Sequence, residues 1–332
     1  MKNLFIINSH TTCLSALGTI KHLNLNANSV VFVFVRNYRN SVINIPYQIL
    51  DFSVEYDDCM RKPYELKKYK KMIGCIDGKV NHLCKGDEFL MYAPSPGGHR
   101  LFQIIFSNKK CIGMNYLQEG ALAFDRLLVS SSLPFRYRLY DLLMKALYDH
   151  RIWASYYSWR MPDFLVNKKK KPECYAISCD IFSRLPYVNN IIKWPVFNIT
   201  NSEFRIEPQY PCFIFESSIE MNVIEREIYM KYSRQLIEEK AESLNYIKFH
   251  PAQSEENKNE IRSYFKAQGL GYKELSMEVP FEMYISTYTN MKVCGFNSSL
   301  LIFAKQLGHR TYSLESELLK GSEKYNQWRK KL

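Results

Sequence analysis

Short apolar runs separated by amphipathic stretches constrain the fold of this chain more than any other feature of its sequence. Strands that are buried on both faces of a parallel sheet have this unbroken apolar character, because helices cover both faces. The runs are too short to cross a bilayer, which takes roughly 18 apolar residues. In the first half we predict strands at Leu4–Ile7, Val30–Val35, Phe89–Tyr92 and Cys111–Tyr116, with helices at Leu14–Leu23 and Leu101–Phe106.

The same pattern returns after a stretch in which it breaks down. Between Leu185 and Pro211 the sequence has four prolines and no sustained periodicity, which indicates a crossing between two domains. We therefore predict an α/β protein of two Rossmann-like, doubly wound domains, residues 1–195 and 196–332, that face a central cleft. We also expect the last helix to pack back on the N-terminal domain. The predicted strands of the second half are Cys212–Phe215, Tyr246–Phe249 and Met291–Cys294, and its predicted helices are Met221–Lys240, Asn257–Gln268, Pro280–Ser286 and Ser298–Leu307.

Charge and cysteine content narrow the class of partner and the compartment. The formal net charge of +12 favours an anionic partner, such as a phosphorylated substrate, a nucleic acid or an anionic membrane surface. The basic runs at 61–71, 168–171 and 329–331 are either solvated faces or sites of weak attachment to the inner membrane. Nine cysteines, an odd number without a CxxC pair, indicate free thiols in a reducing compartment. We therefore expect a cytoplasmic protein.

A histidine follows the predicted strand that ends at Phe249. Pro251 stops that strand and fixes the chain direction, so the His250 imidazole is expected at the carboxyl end of the sheet, where doubly wound folds bind ligands. An imidazole there can donate a hydrogen bond or a proton to a phosphate oxygen. Lys248, two residues earlier on the strand, is predicted to point to the same face. A surface turn is the alternative explanation of this motif.

A glycine turn and two hydroxyls follow the next predicted strand. The segment Lys292–Ser299 has the order of a strand, a turn at Gly295 and a helix start, in which Asn297 or Ser298 caps the helix. The free N–H groups and the dipole of a helix N terminus attract an anion. The hydroxyls of Ser298 and Ser299 can add hydrogen bonds to a phosphate. The alternative is that one serine is only the cap.

Two carboxylates lie at the ends of predicted elements, Glu282 at the start of a helix and Glu119 just beyond a strand. Glu282 follows Pro280-Phe281 at the start of a predicted helix, where it can accept hydrogen bonds from ribose hydroxyls. Glu119, next to Gly120 and just beyond a strand, is predicted to face the cleft and to accept a proton from an attacking hydroxyl. The alternative for each is a capping or surface role.

Taken together, these motifs resemble those of bacterial sialyltransferases of the lipooligosaccharide and capsule type. The resemblance implies a GT-B fold with an N-terminal acceptor-binding domain and a C-terminal domain that binds the CMP donor. The implied activity is an inverting, metal-independent transfer of sialic acid from CMP-sialic acid to a hydroxyl of a glycan, such as a galactoside of surface lipopolysaccharide or capsule. The matching motifs, in order, are Glu119-Gly120, Lys248-x-His250-Pro251, Pro280-Phe281-Glu282 and Ser298-Ser299.

The resemblance also implies a role for each of these residues. Glu119 is the expected general base, and His250 is the expected acid that contacts and neutralises the CMP phosphate. No metal and no cofactor beyond the donor substrate are implied. The remaining expected contacts are Ser298 and Ser299 with the phosphate, Glu282 with the ribose, Lys248 with the cytidine, Ser217 and Pro251 with the nucleotide pocket, and Asn8 and Ser9 with the sugar.

Three alternatives stay open at the level of sequence. The acidic motif has Gln118 where many members of the resembling family have a carboxylate, so Asp125 is an alternative base. The donor is alternatively another CMP-linked nonulosonic acid, and from a different class the charge fits a basic nucleic-acid-binding protein. For the sialyltransferase, the expected partners are a CMP-sugar donor, a glycan or lipid-linked oligosaccharide acceptor, an anionic membrane surface and a second copy in a homodimer, with no nucleic acid.

Overall fold

The chain forms two compact units, each built around its own parallel sheet. A computed structural model describes residues 1–39, 43–60, 66–94, 99–120, 168–183, 185, 187–197 and 205–330, together with residues 139, 142, 143 and 146. The first unit spans Met1–Trp194 and the second spans Pro195–Leu332.

The first unit contains a sheet of seven strands that all run parallel to their neighbours. Its strands are β1 (Lys2–Ile7), β2 (Val30–Phe34), β3 (Gln48–Asp51), β4 (Phe89–Ala93), β5 (Cys111–Leu117), β6 (Glu173–Ala176) and β7 (Val188–Ile191). Its described helices are α1 (His10–His22), α2 (Ser53–Met60), α3 (Leu66–Leu83) and α4 (Arg100–Ser107), and a 3₁₀ turn covers Ala27–Ser29.

The strand order of this sheet is β3-β2-β1-β4-β5-β6-β7, which is the Rossmann order. The chain changes direction across the sheet between β1 and β4, and this switch point opens at the carboxyl ends of the two strands. The four strands around it are buried along almost their whole length, whereas the edge strands β3 and β7 are largely exposed and partly polar. Helices that cover both faces explain the unbroken apolar runs of the central strands.

The second unit repeats the same plan with five parallel strands in the order β10-β9-β8-β11-β12. Its switch point lies between β8 and β11. The strands are β8 (Pro211–Phe215), β9 (Leu244–Phe249), β10 (Gly271–Glu274), β11 (Lys292–Gly295) and β12 (Arg310–Ser313). The helices are α5 (Arg226–Lys240), α6 (Glu255–Ala267), α7 (Phe281–Thr287), α8 (Ser299–Gln306), α9 (Glu315–Gly321) and α10 (Glu323–Lys330).

An aromatic core fills the space between the second sheet and its helices. Phe213 and Phe215 of β8 stack on each other, and Phe265 of α6 packs edge-on against Phe213. The last helix, α10, buries Tyr325 in this core of the second unit, and its expected packing on the N-terminal domain stays a prediction.

The predicted fold class is confirmed. The protein is an α/β protein with two parallel sheets, and both sheets have the strand order of a Rossmann-like, doubly wound domain, as expected for the GT-B type. In the part of the chain that the structure describes, no helix is both long and apolar enough to cross a membrane.

Candidate functional site

Three neighbouring strands of the second sheet end in polar residues at the same edge. Strand β8 is followed by Glu216 and Ser217, β9 by His250, and β11 by the turn that leads to Ser298. Since β8 and β11 flank the switch point, these side chains lie where doubly wound domains bind their ligands.

The turn after β11 presents unpaired hydrogen-bond donors. The Ser298 side chain accepts the backbone N–H of Leu300 at 3.2 Å and caps α8, as the sequence predicts for one of the two serines. Among residues 205–330, the backbone N–H groups of Ser298 and Ser299 and the Ser299 hydroxyl have no hydrogen-bond partner. These groups surround the N terminus of a helix, whose dipole carries partial positive charge, so the turn is chemically suited to an anion.

Glu216 supports this turn from the neighbouring strand and was not recognised in the sequence. Its carboxylate accepts the backbone N–H of Asn297 at 2.7 Å, and the Ser218 hydroxyl lies at 3.4 Å. Burial raises the pKa of Glu216 to about 7, although the hydrogen bond from Asn297 opposes this increase. The only signal in the sequence is a single acidic residue directly after a buried strand, which is common among ordinary loops.

Ser217 is the second residue after β8, next to Glu216. It is buried, and its carbonyl accepts the backbone N–H of Met221, which closes the turn that follows the strand. Ser217 and Glu216 together place a hydroxyl and a carboxyl at the switch point.

His250 is held in one tautomer. Its Nδ1 accepts the backbone N–H of Ala252 at 3.1 Å, so the neutral ring carries its proton on Nε2. Desolvation lowers the pKa of His250, while the charge of Glu220 opposes this decrease, and the ring is therefore neutral at physiological pH. The geometry leaves an Nε2–H donor on His250, and its predicted contact with a phosphate stays a prediction. Pro251 is exposed in the turn that follows.

Lys248 connects the second sheet to the segment before α7. Its ammonium donates to the carbonyl oxygens of Ser276 at 2.6 Å and Val279 at 3.0 Å. Burial lowers the pKa of Lys248 to about 8, and the nearby carboxylate of Glu282, in the first turn of α7, opposes this decrease. Two of the three ammonium protons thus bind backbone, and Lys248 positions the 276–279 segment; its predicted contact with a base stays a prediction.

We expect Lys248→Met to destabilise the second unit by about 2–6 kcal/mol. The substitution keeps most of the side-chain volume but leaves two carbonyl oxygens without their donor, and each such loss costs about 1–3 kcal/mol. Urea unfolding followed by far-UV circular dichroism measures the change. Lys273→Met on the exposed edge strand β10 is the matched control and should change stability by less than about 0.5 kcal/mol. An equal effect of the two substitutions would contradict the role of Lys248.

The predicted residues of the first unit are brought together at the edge of its own sheet. Asn8 follows β1 and donates through Nδ2 to Oε1 of Glu119, which follows β5, at 2.5 Å. Burial raises the pKa of Glu119, and the hydrogen bond from Asn8 and the charge of Arg36 oppose this increase. Ser9 caps α1 by accepting the backbone N–H of Thr12 at 3.3 Å, so its hydroxyl already has a structural role.

The residue before Glu119 has a structural role. Gln118 is fully buried, and its Oε1 accepts the backbone N–H of Ile177 at 2.9 Å, which ties the end of β5 to the end of β6. An amide at this position therefore joins two strands, and Glu119 is the residue of the pair that meets Asn8. The alternative base Asp125 lies outside the described residues.

Comparison with known proteins gives structural neighbours only. No protein-family model and no curated protein match the chain. The S. aureus MnaA–UDP co-structure matches with a TM-score of 0.46 and 13% identity, over 100% of this chain and 88% of that chain. A putative UDP-N-acetylglucosamine 2-epimerase from Listeria monocytogenes matches with a TM-score of 0.44 and 9% identity, over 97% and 81%. The UDP-GlcNAc 2-epimerase from Methanocaldococcus jannaschii matches with a TM-score of 0.43 and 12% identity, over 96% and 91%.

The predicted sialyltransferase is contradicted by this comparison. The three similar structures are two proteins described as UDP-GlcNAc 2-epimerases and MnaA with UDP, and none of the three is a CMP-sialic acid sialyltransferase. The predictions that depend on a sialyltransferase, namely the enzyme class, the CMP-sugar donor and the glycan acceptor, are therefore wrong as well. The physical reason is that the motifs describe strand ends and a helix N terminus, which can hold the phosphate of many nucleotides and do not specify the base, the sugar or the reaction.

Proposed function

We propose that this protein is an enzyme that acts on a nucleotide-linked sugar and holds the nucleotide phosphate at the carboxyl edge of its second sheet. One observation carries the proposal: N–H and hydroxyl donors at Ser298 and Ser299, which have no partner within residues 205–330, lie at the start of α8, beside the switch point between β8 and β11. A phosphate oxygen accepts only, so it matches a set of donors that have no other partner.

Two further side chains support an anionic ligand at this edge. The neutral His250 ring offers an Nε2–H to a phosphate oxygen, because Nδ1 is already occupied by Ala252. Glu216 fixes the turn by holding the N–H of Asn297, so the donors at Ser298 and Ser299 are already oriented in the absence of ligand. Preorganised donors bind more tightly because little freedom is lost on binding.

We assign Glu282 to the hydroxyls of the sugar or ribose. It lies in the first turn of α7 at an intermediate degree of burial, and a carboxylate there is an acceptor for hydroxyl groups. Its neighbour Lys248 holds the segment before α7 in place.

Ligand binding tests the proposal directly. We expect UDP and UDP-GlcNAc to raise the melting temperature of the protein, as any ligand of the native state does. These two ligands are chosen because two of the similar structures are named for the sugar nucleotide and one for UDP. CMP is included as the comparison, and a single-stranded oligonucleotide tests for a nucleic-acid-binding protein. The purified protein with UDP-GlcNAc, followed by NMR of the sugar, then shows whether the sugar is altered.

His250→Ala is expected to weaken nucleotide binding by about 10–150-fold, which corresponds to one hydrogen bond to a charged group, about 1.5–3 kcal/mol. Isothermal titration calorimetry measures the change. A melting temperature that no nucleotide raises, or one that rises only with the oligonucleotide, would refute the proposal.

We further propose that the protein works in the cytoplasm and touches the inner membrane only at its surface. All nine cysteines are free thiols, as suits a reducing compartment. The exposed Lys170 and Lys171 are available to an anionic surface, whereas Lys169 pairs with Glu88. Sedimentation with vesicles that contain anionic lipid, at low and high salt, tests the surface contact.

A further inference from the structure

A second polar cluster lies at the carboxyl edge of the first sheet. Five strand ends contribute one residue each: Asn8 after β1, Arg36 after β2, Tyr56 in α2 after β3, His99 between β4 and α4, and Glu119 after β5. Strands β1 and β4 flank the switch point of this sheet, so the cluster surrounds the place where a Rossmann-like domain binds a ligand.

Contacts and charge show that these side chains form one group. The rings of Tyr56 and His99 stack with their centroids 3.5 Å apart and an angle of 7° between their planes. The positive charge of Arg36 acts on Tyr56, on His99 and on Glu119. The electrostatic influence of one guanidinium group therefore reaches all three side chains.

The cluster contains donors and an acceptor without partners in the described part of the first unit. His99 is only 4% exposed, its Nδ1 accepts the backbone N–H of Leu101 at 3.2 Å, and its Nε2 has no hydrogen-bond partner. A buried donor left unpaired costs about 1–3 kcal/mol, so a group that accepts from it is favoured there. Among the described residues, the guanidinium of Arg36 has no hydrogen-bond or ion-pair partner, and Glu119 is bonded through Oε1 alone.

The cluster combines a positively charged guanidinium with a carboxylate, and this combination indicates the chemistry of the ligand. An oxyanion would match Arg36 and His99 but would be repelled by the carboxylate of Glu119. A hydroxyl group both donates and accepts, so it can satisfy all three side chains. A ring that carries several hydroxyls can also pack an apolar face against an aromatic side chain such as Tyr56.

We propose that Arg36, Tyr56, His99 and Glu119 form a binding site for a sugar ring in the first unit. Glu119 accepts hydrogen bonds from sugar hydroxyls, His99 donates through Nε2–H to a ring or hydroxyl oxygen, and Arg36 donates from the exposed side. The inference goes beyond the proposed function because it concerns the first unit and does not require a nucleotide.

The test uses free sugars and three variants that should fold. Glu119→Gln keeps an acceptor for Asn8 while removing the charge. His99→Asn keeps a side-chain oxygen to cap α4 while removing Nε2–H. Arg36→Asn suits a backbone with φ of 59°, which asparagine tolerates. His82→Asn, at an exposed position on α3, is the control.

Saturation-transfer NMR with glucose, galactose and N-acetylglucosamine should show binding of at least one sugar to the wild-type chain. We expect each of the three variants to weaken that binding at least ten-fold and His82→Asn to leave it unchanged. No binding of any sugar, unchanged binding in the three variants, or binding of inorganic phosphate in place of sugar that is lost in Arg36→Asn would overturn the proposal. UDP titration of the same variants tests the proposed function separately. If UDP does not bind, the result of the sugar measurement still decides whether the first unit binds a sugar.

Discussion

Replacing Ser299 by proline is expected to reduce nucleotide affinity by about 10–150-fold while leaving the second unit folded. Ser299 is the first residue of α8, where proline is well tolerated because its fixed φ suits a helix start. The preceding Ser298 has φ −92° and ψ 143°, an extended conformation that is compatible with a following proline. The substitution removes the unpaired N–H and the hydroxyl of Ser299, and the loss of even one hydrogen bond to a charged group, about 1.5–3 kcal/mol, gives this range of affinity.

Two control variants separate the possible causes of such a loss. Ser299→Ala removes the hydroxyl alone and should weaken UDP binding less than proline does. Glu255→Pro places proline at the first position of α6, after the equally extended Ser254, and should leave UDP affinity unchanged. Calorimetric titration with UDP and a thermal melt are carried out on all three variants. Wild-type affinity in a folded Ser299→Pro protein would mean that the phosphate does not bind at the start of α8.

Glu216→Gln is expected to remove a pH dependence of stability of about 2–3 kcal/mol. The pKa of Glu216 is raised from 4.5 to about 7 by burial, so the folded protein binds more protons than the unfolded chain between these values. The contribution of this group is therefore fully present below about pH 4.5 and is lost as the pH rises through about 7. A pKa that differs by one between the folded and unfolded protein corresponds to about 1.4 kcal/mol of stability, so the full effect is about 3.5 kcal/mol, of which about 2–3 kcal/mol falls between pH 5 and pH 8.

Glutamine isolates the charge because its side-chain oxygen can still accept the N–H of Asn297. The quantity to measure is the difference in free energy of unfolding between wild type and variant, by urea titration at pH 5 and at pH 8. Groups elsewhere in the chain cancel in this difference. Between pH 5 and pH 8, the free energy of unfolding of Glu216→Gln should increase by about 2–3 kcal/mol relative to that of the wild type. The same difference for Glu227→Gln, at an exposed position, should not change with pH. A difference that does not vary with pH would show that Glu216 is ionised in the folded protein.

The central part of each sheet could be predicted from the sequence, and the edges could not. Runs such as Val30–Phe34 and Pro211–Phe215 are buried throughout, and this burial is visible as an unbroken apolar segment. Strands β10 and β12 have the sequences GYKE and RTYS and are half-buried or exposed, so nothing in their composition separates them from loops. Their pairing depends on the neighbouring strand, which is a tertiary effect.

Helix boundaries show the same limit. The helix predicted from Met221 begins at Arg226, because residues before it form a turn in which Asn222 takes a φ of 55°. The apolar spacing continues through this turn, so periodicity alone places the start of the helix too early.

For the candidate site, the positions of polar groups were predictable and their partners were not. His250 and Ser298 lie at strand ends because proline and glycine mark where strands stop. The donation of Lys248 to the carbonyls of Ser276 and Val279, and the burial of Glu216, follow from packing between segments that are distant in the chain. Motifs built on strand ends also carry no information about base or sugar, which is why the resemblance to sialyltransferases was misleading.

The order of strands in the second sheet also bears on how this unit is made. Its central pair joins Pro211 to Lys292, some 80 residues later in the chain, and no two of its strands can pair as a local hairpin because all are parallel. Contacts between distant residues form slowly, so assembly of this half is expected to be slow and to follow synthesis of β11. A nascent chain that ends before that strand would expose β8 as an open apolar edge, where chaperones or aggregation would act first.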